Sequence, residues 1–490
     1  MKKKHFIYFM AIAMMAATIF VGCKKDDPEP DPTVLVSSIT ISPETDVAVS
    51  VGATVPLSAS VLPANAANKT VAWSSLHPNI ATVDATSGLV TGVAEGEATI
   101  RATAADGSGV TADKTIIVSA DAPDIPEMTM VTAKGTVEFS LQGSGEAMIY
   151  WGDGTSETVQ LITLIDNWED YDQTVFTHSY SNATAHTITI VGKDITYLEC
   201  PNNELTALDV SENIAMKDLM CEQNQLTALN VSENTLAYLR CGYNQITALD
   251  VSKSTAMWYL ECYNNQLMEL DVTKNTAMAW LQCYDNQLTA LDVSKNTALT
   301  YLRCNGNQLT ALDVSKNTAL GTLWCYDNQL TALDMSKNTT LRDLRCYNNR
   351  LTDLDVTKNT MLTELICDDN PITALDVSNN IALDFLSFER NQLTALDVSN
   401  NTALTSLFCN NNQLTVLDVS NNTALWNLYC NDNLFTAAVL NALFGTLHSN
   451  TVYYPWGGEA QKRIFIGGNP GTGTCDKTIA ESKGWTVNSD

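Results

Sequence analysis

The chain has 490 residues, enough for several domains, and a formal charge of −28. Asp and Glu outnumber Lys and Arg by 55 to 27, which excludes a phosphate-binding groove and with it a nucleic-acid partner. Five histidines are scattered along the sequence, and no nucleophile–base pair or Gly-rich phosphate loop accompanies them, so neither an enzyme nor a cofactor is expected.

Residues 1–22 read as a targeting segment. Lys2, Lys3 and Lys4 precede an apolar run from Phe6 to Val21, which is short for a membrane span and has signal-peptide flanks. Phe20-Val21-Gly22-Cys23 resembles a bacterial lipobox, with Phe20 where most have Leu. The resemblance implies cleavage before Cys23 and lipidation of its thiol, a membrane anchor. Within residues 23–33, Lys24 to Pro32 reads KKDDPEPDP, whose charges and prolines favour an extended tether. An acidic stretch after the lipidated cysteine is similar to surface-exported lipoproteins of the Bacteroidetes type. That likeness implies a lipid-anchored cell-surface protein facing out from the outer membrane.

Residues 34–119 alternate β-branched and polar residues between Gly and Pro turns, the pattern of an all-β sandwich. Val71 to Thr103 resembles the bacterial Ig-like group 2 domain, which would make Trp73 its core tryptophan and the domain a spacer. Residues 121–192 form a second β unit with a tight turn at Gly152-Asp153-Gly154. Its WGDG followed by HSY resembles the PKD-type Ig-like domain. His178 and His186 lack the partner spacing of a zinc site and read as strand-edge or loop residues.

Residues 195–433 repeat with a period of 21, and one copy, the second, is a residue short. Each copy reads LxxLxCxxNxL, as in LTYLRCNGNQL from Leu299 to Leu309. This is the leucine-rich-repeat pattern. With a cysteine in nearly every turn it resembles the cysteine-ladder internalins, bacterial surface adhesins. Leu and Cys two apart share one strand face, so both point inward, and each thiol stacks about 4.8 Å from the next. Phe388 replaces one ladder cysteine, which a buried apolar column tolerates and a metal or disulfide array does not. An Asn column from Asn203 to Asn433 and a second one from Asn213 to Asn422 are assigned to backbone satisfaction at the bends. Residues 434–490 leave the repeat and read as a helix, a strand and a short helix, a cap that seals the last turn. The fold class expected is mainly β. Two Ig-like β-sandwich modules precede a right-handed leucine-rich-repeat solenoid with a parallel concave sheet and a C-terminal α/β cap.

The framework LTALDVSKNTAL barely changes between copies, whereas the strand positions flanking the buried Leu and Cys vary. These positions face the concave sheet. Tyr238, Tyr259, Trp280 and Tyr301 precede the Leu; Arg240, Arg303, Trp324 and Arg345 lie between Leu and Cys; Tyr263, Tyr284, Tyr326 and Tyr347 follow the Cys. Tyr, Trp and Arg are the types enriched in binding hot spots, so this face, roughly 55 Å long, is the expected ligand site. A host or environmental protein or glycan is the expected partner, because Tyr and Trp faces also stack on sugars. The alternatives are a structural envelope protein or a glycan-active enzyme. An Asp column from Asp209 to Asp418 lacks calcium-loop spacing and reads as a solvated face.

Overall fold

Alternation along the strands of the first unit places one side chain in two toward a common core. The computed structural model describes residues 34–43, 47–119, 125–162, 175–454 and 457–490. The leader, Cys23 and the tether lie outside the described residues. The chain divides into two units, the second beginning at Ile125. In the first, a four-stranded sheet joins Val47–Ser50, Thr111–Ser119, Gly96–Ala104 and Val71–Ser75, with three- and two-stranded sheets beside it. Its core gathers Ile41, Val49, Leu57, Trp73, Val90, Ile100, Ile116 and Val118. Trp73 is buried there, in the role its position suggests.

The second unit has a single hydrophobic core running from Met128 to Trp485. The boundary drawn between residues 192 and 195 falls inside one strand, His186–Glu199. The first part of that strand pairs antiparallel with Glu127–Thr132. Its last residues, Tyr197 to Glu199, pair parallel with Asp218–Met220 and antiparallel with Ser140–Gln142 of the strand Thr136–Tyr150. The second β unit therefore closes the open end of the solenoid instead of standing as a separate module. A stack of turns needs such an end, because its first hydrophobic layer would otherwise face water. His178 and His186 are packed rings here. His178 stacks on Trp151 at 4.5 Å and bonds Asp153 at 2.8 Å, and His186 stacks on Tyr180 at 3.9 Å. The Tyr180 hydroxyl donates to the Trp151 carbonyl at 2.7 Å.

From Tyr197 to Tyr429 each turn contributes one three-residue parallel strand, and the register joins equivalent residues of successive turns, such as Leu281, Leu302 and Leu323. Leu299, Leu302, Cys304, Leu309 and Val314 of one turn are fully buried. The eleven ladder thiols are unpaired and buried. Burial pushes the Cys283 thiol up to about 12 and raises the others well above their usual value, so the column stays protonated and unreactive. The Asn columns hold the bends. Asn307 Nδ2 donates to the Cys283, Cys304 and Asn305 carbonyls at 3.1 to 3.2 Å, while its Oδ1 accepts the Leu288 amide at 2.9 Å.

Two further columns carry structure: one is not assigned from the sequence, and the other, the Asp column, reads there as a solvated face. The residue before each ladder Asn adopts positive φ, at about 50° in Asn264, Asp285, Asn348 and Asp369 and 63° in Gly306. Asn, Asp and Gly predominate there because they tolerate the left-handed region best. The Asp column is a row of turn caps: Asp313 Oδ1 accepts the Ser315 amide at 2.9 Å, and the same contact recurs at Asp292 and Asp334. These bonds hold the carboxyls below their usual range, so the stability they add is present at neutral pH and is lost on acidification.

The short second turn explains another irregularity. Elsewhere the Leu299-type amide bonds the carbonyl three residues back, at 3.0 Å from Leu299 to Asn296. One residue is missing between Asn234 and Leu236, and that bond is replaced. Ser254, the only exception in the second Asn column, accepts the Leu236 amide at 3.0 Å and donates to the Asn234 carbonyl at 3.2 Å. Ser254→Asn, although it restores the column, should cost about 1 kcal/mol in chemical denaturation, because the Leu236 amide loses its acceptor.

The solenoid ends on the helix Ala437–Thr446, capped by Thr436, then on strands Lys462–Phe465 and Trp485–Asn488 that extend the parallel sheet.

Candidate recognition surface

The outward strand positions lie one strand spacing apart, about 4.8 Å, which is also the separation of stacked rings. Aromatic residues in one column therefore stack. Tyr238, Tyr259, Trp280 and Tyr301 form one file, with centroids 4.3, 5.7 and 3.6 Å apart and planes within 12°. Tyr263 stacks on Tyr284 at 4.5 Å, and Tyr326 on Tyr347 at 4.2 Å. Asn305 interrupts that third column, and Arg303 bridges the break, with its guanidinium 4.4 Å from the Tyr284 ring and 4.0 Å from Trp324. Arg345 covers the same Trp324 ring at 4.0 Å while pairing with Asp343 at 3.2 Å and Glu364 at 2.8 Å. Arg240 bonds Glu222 at 3.1 Å and Glu261 at 2.9 Å. Burial opposes its charge, but the two carboxylates outweigh that and keep it protonated.

All twelve residues singled out from the sequence thus lie on one face, in three columns, and all are half-buried. Stacking takes up the ring faces and leaves edges and hydroxyls outward. Two features lie outside the twelve residues singled out from the sequence. One is a C-terminal aromatic file, Phe408 on Tyr429 at 4.5 Å and Tyr429 on Phe465 at 4.0 Å, with Phe385 alongside at 5.2 Å. Phe465 belongs to the cap, so the repeat pattern does not point to it. The other is Trp258, one residue before the first file, 40% exposed.

One carboxylate on this face lacks compensation. Asp218 is half-buried, and desolvation raises it to about 6 despite Lys217 nearby. An acid whose folded value exceeds its unfolded value destabilises the fold once pH rises above the unfolded value, and the cost is complete above the folded one. Asp218→Asn should therefore stabilise the chain by about 1 kcal/mol at pH 7, after allowance for solvent screening, and by nothing at pH 4. Denaturant unfolding of both proteins at the two pH values checks this. Among the described residues no three His, Cys, Asp or Glu converge to hold a metal ion.

Comparison with known proteins agrees with the geometry. Residues 35–115 match the family described as Bacterial Ig-like domain (group 2), and residues 409–427 match the LVIVD repeat. An Ig-like virion protein of Serratia phage KSP90 is 47% identical over 75 residues, 15% of this chain, and the chain spans 29% of that relative's length. The functional domain of InlJ from Listeria monocytogenes, which includes a cysteine ladder, is 31% identical, with 58% of this chain and 77% of that one covered and a TM-score of 0.44. An internalin, InlF, from the same organism shares the fold at a TM-score of 0.52, 21% identity, and 61% and 90% coverage. The chain carries a bacterial Ig-like domain and an internalin-like leucine-rich-repeat solenoid. In the internalin-like solenoid the concave sheet is the face on which successive turns differ, and the ladders are what they share.

Proposed function

We propose that the chain is a non-enzymatic surface recognition protein, lipidated on Cys23 and displayed outward from the outer membrane, that binds a protein on its concave solenoid face. The Ig-like domain serves as the spacer, and the PKD-like unit seals the solenoid. One observation carries the reading. An almost unchanging framework supports a face on which Tyr, Trp, Phe and Arg concentrate, and such residue types anchor protein interfaces. The stacking favours a protein over a glycan. A sugar ring packs on an open aromatic face, and in these files the faces are taken by neighbouring rings.

The test is capture by the full-length chain on an array of glycans and extracellular proteins. A triple variant, Tyr301→Thr, Tyr326→Asn and Phe408→Ser, runs beside it. Each replacement already occurs in its own column, at Thr322, Asn305 and Ser387, so the fold tolerates it. Protein hits lost in the variant support the reading. Glycan hits, or hits the variant retains, overturn it, and an array without hits favours a structural envelope role.

A further inference from the structure

The middle of the concave face shows how this surface holds a cation. Arg303 lies between the Tyr284 and Trp324 rings, and Arg345 lies on Trp324 while bonding Asp343 and Glu364. Arg345 shows the full motif in three parts, an aromatic face, a guanidinium and a carboxylate, whereas Arg303 has two rings and the Gln282 amide oxygen at 3.3 Å. The full motif draws on cation–π attraction and a charge-assisted hydrogen bond together.

The N-terminal turns offer two of these parts without the third. Trp258 is 40% exposed, more than any ring of the neighbouring file, whose members are half-buried. It crosses the Tyr238 and Tyr259 rings at 57° and 67°, so it lies outside their stack. Backbone bonds link it on one side to Ala237 and on the other to Ala279, so its column neighbours carry no ring to stack on it. Asp218 sits in the strand register between Tyr197 and Tyr238. Its carboxylate has no hydrogen-bond partner among the described residues. Glu222, in the same turn, is 8% exposed, and its Oε2 is likewise without a partner, since Arg240 binds only Oε1. Lys217, the nearby base, is held by Thr235 at 2.8 Å. Asp218 and the Trp258 turn are two strands apart, about 10 Å, within the span of one or two basic side chains.

We infer that the Trp258–Asp218 end of the concave face is built to receive Arg or Lys side chains of a basic segment on the protein partner. The inference rests on the concave-face reading and narrows it. The partner completes at this end the arrangement that Arg345 completes in the middle, and the excess of acids on the chain draws a basic segment toward it.

The probe is a library of random twelve-residue peptides selected on the full-length chain. Trp258→Ala, whose column neighbours are already alanines, Asp218→Asn and a control, Asp313→Asn, are run in parallel. The expected result is enrichment of Arg and Lys on the parent chain and on the control, falling about tenfold in Trp258→Ala and in Asp218→Asn. Asn230 already fills the control column, so that turn cap survives. The inference is overturned by peptides without basic enrichment, by no selection at all, by enrichment that persists in both variants, or by an equal fall in the control. Its failure is separable from failure of the broader reading. Array proteins lost in the triple variant, together with peptides that are not basic, would keep the concave face and discard the basic partner.

Discussion

Asn307→Ala is expected to destabilise the solenoid by about 3 kcal/mol, more than an ordinary core truncation of its size. The reason lies in how the ladder shares its partners. The Cys283 carbonyl accepts from Asn286 as well as Asn307, and the Cys304 carbonyl from Asn328 as well, so these acceptors keep a donor when Asn307 is lost. The Leu288 amide has only Asn307 Oδ1. Truncation leaves one buried N–H without an acceptor, removes three bonds and opens a void. Asn307→Asp separates these contributions. It keeps the acceptor for Leu288 but turns a second oxygen toward three carbonyls, so it should cost more than the alanine at pH 7. That excess should shrink on acidification, because a carboxyl raised by burial binds its proton first in the folded state. Chemical denaturation at pH 7 and pH 5 ranks the two variants. Exchange of the Leu288 amide locates the effect, which spreads through neighbouring turns and not evenly along the array.

Phe388→Cys, which would complete the cysteine column, is expected to destabilise by about 2–4 kcal/mol. Phe388 is fully buried between the turns of Cys367 and Cys409. A thiol there would leave most of the ring's volume empty, and the backbone bonds that fix adjacent turns limit how far the walls can close. If the thiols served a collective purpose, restoring the missing member would help or do nothing. A loss of this size in denaturant unfolding would identify the column as packing, with each side chain fitted to its own turn.

Much of this molecule is written in the sequence because the repeat performs its own comparison. Eleven copies show which positions barely change, and that isolates the Leu, Cys and Asn columns as interior without any structure. The cap helix is legible from apolar spacing around Leu440, Leu443 and Phe444. What stays hidden depends on contact between turns. A column of tyrosines looks like open rings until the strand spacing sets them face to face, as with Tyr263 and Tyr284. The Asp column looks like solubilising charge until Asp313 is seen to hold the Ser315 amide, although the recurring DVS and DVT could have signalled it. The continuity of His186–Glu199 across two apparent domains is invisible because the repeat pattern begins only at its end.

The repaired short turn bears on how such an array can change in reach. Loss of one residue beside Asn234 survives with a serine at position 254 that rebuilds the missing bond from the next turn. Two changes had to coexist, and most single-residue insertions or deletions would meet no such partner. Removal of a whole copy, such as Leu299 to Ala319, instead rejoins every column to its own kind. Heritable variation in this surface should therefore proceed in whole turns, with the grasp of the concave face lengthening or shortening in steps of about 4.8 Å.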